Sequence, residues 1–189
     1  MASSPTAVSP RPATGPLSEV TLRDGTPALI WPLLDTDRDL LQSGYAELSP
    51  ASRRSRFLTE LPELSQGLLR LLVEDVDGHD HVAVILTVLP ADGDARPVGV
   101  AHLVRDPDRP ATADVAVTVL DAWHGRGVGA ALLAAVLARR PGDIATLRTT
   151  VAAENRPSLK MLARGGRMTT CREAGGVLTV EVTDLPPVS

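Results

Sequence analysis

The sequence predicts one α/β domain, in which a mixed, mostly antiparallel central sheet carries helices on both faces. Three apolar runs, 81–89, 98–105 and 112–120, are separated by short turn-forming stretches, which is typical of consecutive antiparallel strands. An Ala/Leu-rich helical stretch separates the third run from a fourth, 144–151. That connection predicts a parallel neighbour reached by a right-handed crossover. A chain of 189 residues is enough for one such domain and too short for two comfortable ones.

The first part of the chain predicts one strand and three helices. The strand is expected over 28–34, where apolar residues precede an acidic stretch. Apolar residues at helical spacing predict a helix over 37–48. Ser49 followed by proline is a favourable cap and first-turn pair, so a short helix is expected over 50–57. A third helix is expected over 65–74.

The last part of the chain predicts two helices and a closing hairpin. The Ala/Leu-rich helix is expected over 127–139, because a Pro-Gly pair follows it. A second helix is expected over 155–164. Strands over 168–172 and 177–182 are joined through two glycines, which predicts a hairpin.

Composition excludes several classes of function. A net charge of −4 offers no electrostatic reason to expect a nucleic-acid partner. Residues 1–16 are rich in Ser, Pro and Ala and lack an apolar core, so we expect a disordered tail that is neither a signal peptide nor a membrane span, followed by one domain over 17–189. Cys171 is the only cysteine, which excludes an intrachain disulfide, suits the cytoplasm and predicts a small core residue.

The most informative segment runs from Trp123 to Leu133, WHGRGVGAALL, directly after the run 112–120. A strand, a glycine-rich turn and a helix N-terminus together form a cradle for a pyrophosphate. Glycines let the backbone approach the anion, and the first free N–H groups of the helix point at it. Arg126 is expected to add a positive charge beside that site.

Two other phosphate-binding patterns do not match this segment. The dinucleotide-binding fingerprint needs Gly-x-Gly-x-x-Gly, whereas Gly125, Gly127 and Gly129 alternate and Ala130 follows. A P-loop needs Gly-Lys-Ser/Thr after the turn, and Gly129 is followed by two alanines. What remains is Arg/Gln-x-x-Gly-x-Gly/Ala at the start of a helix.

That pattern resembles the coenzyme-binding motif of the GNAT superfamily of N-acetyltransferases, with His124 at a position usually held by Gln or Arg. The segment 155–166, NRPSLKMLARGG, resembles the family element that lines the other side of the coenzyme cleft. The resemblance implies a splayed cleft for acetyl-coenzyme A, no metal, and transfer of an acetyl group to an amine. It departs from the family at Leu162, where a tyrosine often protonates the leaving thiolate, and at Arg167, where phenylalanine is usual.

The segments 48–58, 76–83 and 113–117 resemble the bacterial protein-lysine acetyltransferase branch. In that branch a glutamate acts as general base where this chain has Asp114. The resemblance also implies that Val117 and Val119 hold the coenzyme through their main chain. The remaining coenzyme-binding residues that it implies are His124, Gly125, Arg126, Gly127, Val128, Gly129, Ala130, Asn155 and Ser158.

Several alternatives stay open. His102 is the next candidate for the base, although a histidine bonded within the fold is the commoner case. The acidic and histidine residues over 75–81 match neither a calcium loop nor a zinc site. The acceptor is an amine on a protein or a small molecule, and a homodimer is compatible with the resemblance. The alternative function is a catalytically weak acyl-coenzyme A sensor or interaction module. The missing tyrosine at Leu162 and the shorter carboxylate of Asp114 would allow it, and it would bind the coenzyme without turnover.

Overall fold

The central feature of the fold is one eight-stranded sheet in the order β1-β2-β3-β4-β5-β6-β8-β7. The computed structural model describes residues 15–59, 61–91 and 93–188. Neighbouring strands are antiparallel except β5 and β6, which are parallel, as predicted. The strands are β1 Ser18–Thr21, β2 Pro27–Pro32, β3 His81–Val88, β4 Arg96–Asp106, β5 Arg109–Val119, β6 Thr146–Ala152, β7 Arg167–Arg172 and β8 Val177–Thr183.

The five predicted helical segments are all helical in the structure. The side chain of Ser49 caps the second helix by accepting a hydrogen bond from the Ser52 N–H at 3.2 Å. The predicted role of Ser49 as the cap of this helix is therefore confirmed. The third helix continues into a wider π turn over Arg70–Glu74. The helices are α1 Arg38–Glu47, α2 Pro50–Phe57, α3 Gln66–Leu69, α4 Val128–Ala138 and α5 Arg156–Leu162.

Helices cover both faces of the sheet, as the sequence predicts. On one face α4 buries Leu132, Leu133 and Val136 against strand residues of β3, β4, β5 and β6. On the other face α1 and α3 bury a second cluster that includes Tyr45 and Leu69. All eight residues of β3 are buried, because this central strand has helices or loops above and below it.

Three sequence-based expectations need correction or fall outside the structure. The strand expected over 28–34 begins at Pro27 and ends at Pro32, and the sequence did not predict β1, which pairs with it. Cys171 is exposed instead of lying in the core, because β7 is an edge strand whose residues are mostly exposed. Of the tail predicted over 1–16, residues 1–14 lie outside the described residues.

Candidate active site

The site begins where the parallel strands β5 and β6 separate. Their register contains two pairs, Thr112↔Thr146 and Ala113↔Leu147, although β5 continues to Val119. The Leu120 N–H donates to β4 at Val98, whereas the Val115 carbonyl accepts from the Thr149 side chain of β6 at 3.2 Å. Main-chain groups of an antiparallel strand alternate in direction, so those of residues 115, 117 and 119 face the opening between the strands.

A cavity of about 510 Å³ fills this opening. It brings together four of the predicted site residues, Asp114, Val117, Asn155 and Ser158. Because it lies between two diverging strands and α5, an elongated molecule can enter it and still reach the main chain of β5. The other lining residues are Ser55, Arg56, Phe57, Leu58, Arg109, Val115, Ala116, Arg148, Thr149, Thr150, Val151, Met161, Leu162 and Thr179.

The glycine-rich turn lies at the end of β5 and has the geometry of an anion cradle. Gly125 and Gly127 have φ of 77° and 98°, which glycine adopts readily and other residues rarely adopt. The first intrahelical bond of α4 runs from the Ala131 N–H to the Gly127 carbonyl at 3.0 Å. The N–H groups of Val128, Gly129 and Ala130 therefore have no intrahelical acceptor and are available to a ligand.

The charge of Arg126, which the sequence predicts to lie beside the turn, is paired within the fold. Its guanidinium lies 3.1 Å from a carboxylate oxygen of Asp24 and stacks on Trp123, 4.6 Å from the ring centroid. Its carbonyl accepts from the Arg23 N–H at 2.9 Å. The side chain of Arg126 thus anchors the turn to the β1–β2 connection, and its main-chain N–H remains as the predicted contact.

Arg23, in the connection between β1 and β2, packs on this turn and was not predicted from the sequence. A Cβ built on Gly127 would lie 3.3 Å from the Arg23 Cγ, so the arginine side chain runs across the glycine. No local pattern indicates this contact, because the two residues belong to distant segments that meet through the fold. The site therefore contains a second cation beside the anion cradle.

His124 joins the turn to the strand before it. Its Nε2 lies 3.0 Å from the Val119 carbonyl oxygen, so the imidazole donates to a main-chain group that was predicted to contact the coenzyme. The carbonyl of Val119 is engaged by this bond, while its N–H still faces the opening. His124 accordingly orients the turn.

Gly129 serves close packing between elements. A Cβ at this position would lie 3.2 Å from the Met161 sulfur, 3.8 Å from Val119 and 4.0 Å from Val117. Glycine thus allows the first turn of α4 to approach both α5 and β5. A larger side chain there would push apart the elements that line the cavity.

The two predicted residues on α5 meet at its N-terminus. The Asn155 side-chain oxygen accepts from the Ser158 N–H at 3.2 Å, which caps the helix. The capping bond uses the oxygen of the amide, and the NH₂ group has no hydrogen-bond partner among the described residues. Leu162, one turn after Ser158, is 2% exposed and has no proton to give.

Asp114 is exposed to the cavity and makes no hydrogen bond or ion pair with any residue that the structure describes. A carboxylate in this state can accept a proton from an incoming group.

His102 and His81 lie on the same face of the sheet as Asp114, on the neighbouring strands. Both are buried and bonded to each other, with the Nδ1 of His102 3.0 Å from the Nε2 of His81. Burial lowers the pKa of both histidines, and the nearby charge of Arg56 lowers the pKa of His102 further. Asp114 lines the cavity and His102 does not.

Two further features bound the chemistry of the described residues. They contain no group of three or more His, Cys, Asp or Glu side chains that could hold a metal ion. None of the helices in residues 15–59, 61–91 and 93–188 has the length and apolar character needed to cross a bilayer.

The chain is similar to known acetyltransferases. The sequence model of the Acetyltransferase (GNAT) family matches residues 45–166. The chain is 36% identical over 124 residues to acetyltransferase PA5475 of Pseudomonas aeruginosa, which covers 65% of each protein. It is 31% identical over 171 residues to acetyltransferase Pat of Mycolicibacterium smegmatis, which covers 89% of this chain and 49% of Pat.

The fold is also similar to a solved domain. The crystal structure of the GNAT domain of S. lividans PAT superposes with a TM-score of 0.72 at 28% identity, over 88% of this chain and 96% of that domain. Both curated relatives are longer than the region they share with this chain, which spans about half of one and 65% of the other.

Proposed function

This chain belongs to the GNAT family of acetyltransferases, and we propose that it moves the acetyl group of acetyl-coenzyme A to an amine with Asp114 as the general base. The observation that carries the proposal is the opening between β5 and β6, which Asp114 and Val117 line on the strand that leads into the turn before α4. This groove holds a proton acceptor and unpaired strand amides, and the anion cradle follows at the end of β5.

The residues of the groove fit acetyl-coenzyme A. The N–H groups at the start of α4 suit the pyrophosphate, because they point outward and carry the positive end of the helix dipole. The main chain of Val117 and the N–H of Val119 suit the pantetheine arm. When bound, the coenzyme supplies the activated acetyl thioester.

The role of Asp114 follows from the ionisation of amines. A lysine-like amine with a pKa of about 10.4 is neutral in only about one molecule per thousand near pH 7.4. Asp114 accepts the proton and so gives the nitrogen its lone pair. Aspartate is shorter by one methylene, about 1.5 Å, than the glutamate that the family resemblance places at this position, so we assign a water between carboxylate and amine.

The main chain of β5 and the solvent complete the reaction. The N–H of Val117 faces the groove and donates to the thioester oxygen as it gains negative charge. Leu162 has no proton to give to the leaving thiolate. The only tyrosine, Tyr45, donates its hydroxyl to the Leu61 carbonyl in the second core cluster. We therefore assign protonation of the thiolate to water.

The acceptor is a protein lysine or a small amine. We place the reaction in the cytoplasm, which suits a chain with a single cysteine.

Two measurements test the proposal. Acetyl-coenzyme A at about one hundred times Kd should stabilise the fold by about 2.7 kcal/mol, seen as a rise in Tm of several degrees. A screen of amines and peptides should release free thiol. Binding without release with every amine would favour the sensor, and no rise in Tm would contradict both functions.

A further inference from the structure

The cavity contains two charged side chains that have no partner within the described residues, and their charges are opposite. Four charged residues line it. Arg109 is bound to Asp106 at 2.6 Å, and Arg148 is bound to Glu181 at 3.0 Å. Asp114 and Arg56 form no ion pair or hydrogen bond, with each other or with other described residues. The free charges of the cavity are thus one carboxylate and one guanidinium.

Arg56 is held at the cavity wall by the last turn of α2. Its guanidinium carbon lies 4.8 Å from the ring centroid of Phe57, which is the next residue and also lines the cavity. The aromatic ring shields one face of the guanidinium from water, while its edge keeps its N–H donors. Burial lowers the pKa of Arg56 and the charge of Asp114 raises it, so the two groups sense each other without touching.

A partly buried guanidinium without an anion is unfavourable, and a carboxylate matches its planar donors in two parallel hydrogen bonds. The pyrophosphate of the coenzyme does not neutralise Arg56 in this proposal. The turn residues that would bind it, Gly125–Gly129, do not line this cavity. The partner that completes the charge pattern brings a positive amine to Asp114 and a negative group to Arg56.

We propose that the acceptor is an amine that also carries a carboxylate, which Arg56 binds while Asp114 takes the proton of the amine. This inference rests on the proposed acetyl transfer. The shared chemistry is an ammonium and a carboxylate within the span of one cavity. A free amino acid provides both on one molecule, and a peptide provides them when an acidic residue neighbours the reactive amine.

The test compares acceptors that differ only in that charge. Amino acids are compared with the matching amino acid amides, and lysine peptides with a glutamate neighbour are compared with the same peptides carrying glutamine. The wild type should prefer the carboxylate in kcat/KM by about ten- to a hundredfold, mostly through KM, which is the effect expected for a hydrogen bond between charged groups. The arm that shows the preference identifies the source of the carboxylate.

Arg56→Gln should remove this preference and leave the KM of the amides within about threefold, whereas Arg56→Lys should keep part of it because it keeps the charge. Arg172→Gln, an exposed arginine of β7 outside the cavity, is the matched control and should behave as wild type. A wild type without preference, or an Arg56→Gln variant that loses charged and uncharged acceptors equally, would overturn the proposal.

A binding measurement separates this inference from the proposed function. With coenzyme A bound, carboxylate acceptors should raise the Tm of the wild type and of Arg56→Lys but not that of Arg56→Gln, while their amides should do less in all three. If no amine is ever acetylated, the transfer reaction fails; an acid-dependent rise in Tm that requires Arg56 would still support the carboxylate site. The absence of that rise would count against the site even if transfer occurs.

Discussion

The Nε2 of His124 lies 3.0 Å from the carbonyl oxygen of Val119, which bonds the glycine-rich turn to the last residue of β5. Both residues were predicted to contact the coenzyme, and the fold makes each of them the partner of the other. The bond sets the direction in which the chain leaves the strand, and hence where the N–H groups of α4 point. The histidine thus prepares the cradle for the ligand.

The effect of replacing His124 on coenzyme affinity should therefore depend on whether the new side chain can still donate a hydrogen bond to the Val119 carbonyl. His124→Gln keeps an N–H donor of similar reach and should bind acetyl-coenzyme A about as well as wild type. His124→Leu removes one hydrogen bond and should weaken binding by about two- to tenfold. Isothermal titration measures both constants, and equal affinities for the leucine variant and the wild type would contradict an orienting role.

Asp114→Asn should lower kcat/KM by about 10²–10⁴-fold near neutral pH, because it preserves shape and removes the proton acceptor. Coenzyme affinity should stay nearly intact, since the coenzyme binds through main chain and the start of α4. The loss should shrink at high pH, where solvent deprotonates the amine.

Asp114→Glu is the matched control for that variant and should remain active, because it restores a carboxylate with longer reach. Steady-state rates from mildly acidic to mildly basic pH make the comparison. Wild-type turnover by the asparagine variant across this range would place the base elsewhere.

Gly127→Val should abolish the rise in Tm that acetyl-coenzyme A causes. Valine at φ 98° is strained, and its Cβ would lie 3.3 Å from the Arg23 Cγ, so the turn or the Arg23 side chain must shift. The variant should also be less stable by about 1–2 kcal/mol.

Gly44→Ala in α1 provides the contrasting glycine, because a Cβ there meets nothing within 4 Å and φ is not positive. It should raise the free energy of unfolding by about 0.5–1 kcal/mol and keep the coenzyme response. Thermal melts with and without acetyl-coenzyme A read out both variants; a normal response in Gly127→Val would be inconsistent with the cradle.

The buried histidine pair should make the protein less stable in mild acid. Burial lowers the folded-state pKa of His81 and His102 below 6.5, so both bind protons more readily when unfolded. Their contribution to stability is complete above about pH 6.5 and is lost as the pH falls toward the folded-state pKa, at up to about 1.4 kcal/mol per pH unit for each histidine.

Denaturant melts of the wild type between pH 8 and pH 5 should show this decline. In His102→Gln the free energy of unfolding should fall less steeply with decreasing pH below 6.5. The contribution of one histidine to that slope is lost, because one buried titrating group is gone. An unchanged slope in the variant would assign the acid sensitivity to other groups.

Removal of residues 1–16 should leave folding and coenzyme binding within about 1 kcal/mol of the full chain, because their composition offers little to bury. Leu17 marks the boundary, since its N–H donates to the Ile30 carbonyl at 2.7 Å and its side chain packs on the core. A truncation that begins at Leu22 also removes β1 and should lose markedly more stability. Denaturant melts compare the three chains, and equal losses for both truncations would refute this boundary.

The sequence alone determined the helices, the central strands and the glycine-rich turn. These depend on neighbours along the chain: Ser49 caps α2, Asn155 caps α5, and alternating glycines precede the first turn of α4. Such signals act over three or four residues, so they can be read without knowledge of the fold. Asp114 and Val117 were predicted from the family resemblance of the strand before the turn, and the cavity contains both.

The tertiary structure decided what depends on distant segments meeting. It paired Arg126 with Asp24, laid Arg23 across Gly127, and placed Arg56 and Asp114 in one cavity without bonding them. It also decided that β1 is a strand, because a four-residue strand needs a partner to pair with. Cys171 is exposed because it lies on an edge strand, which is buried only where another element packs on it. Local sequence specifies backbone conformation, but which charges end up neutralised and which remain free depends on the packing of the whole sheet.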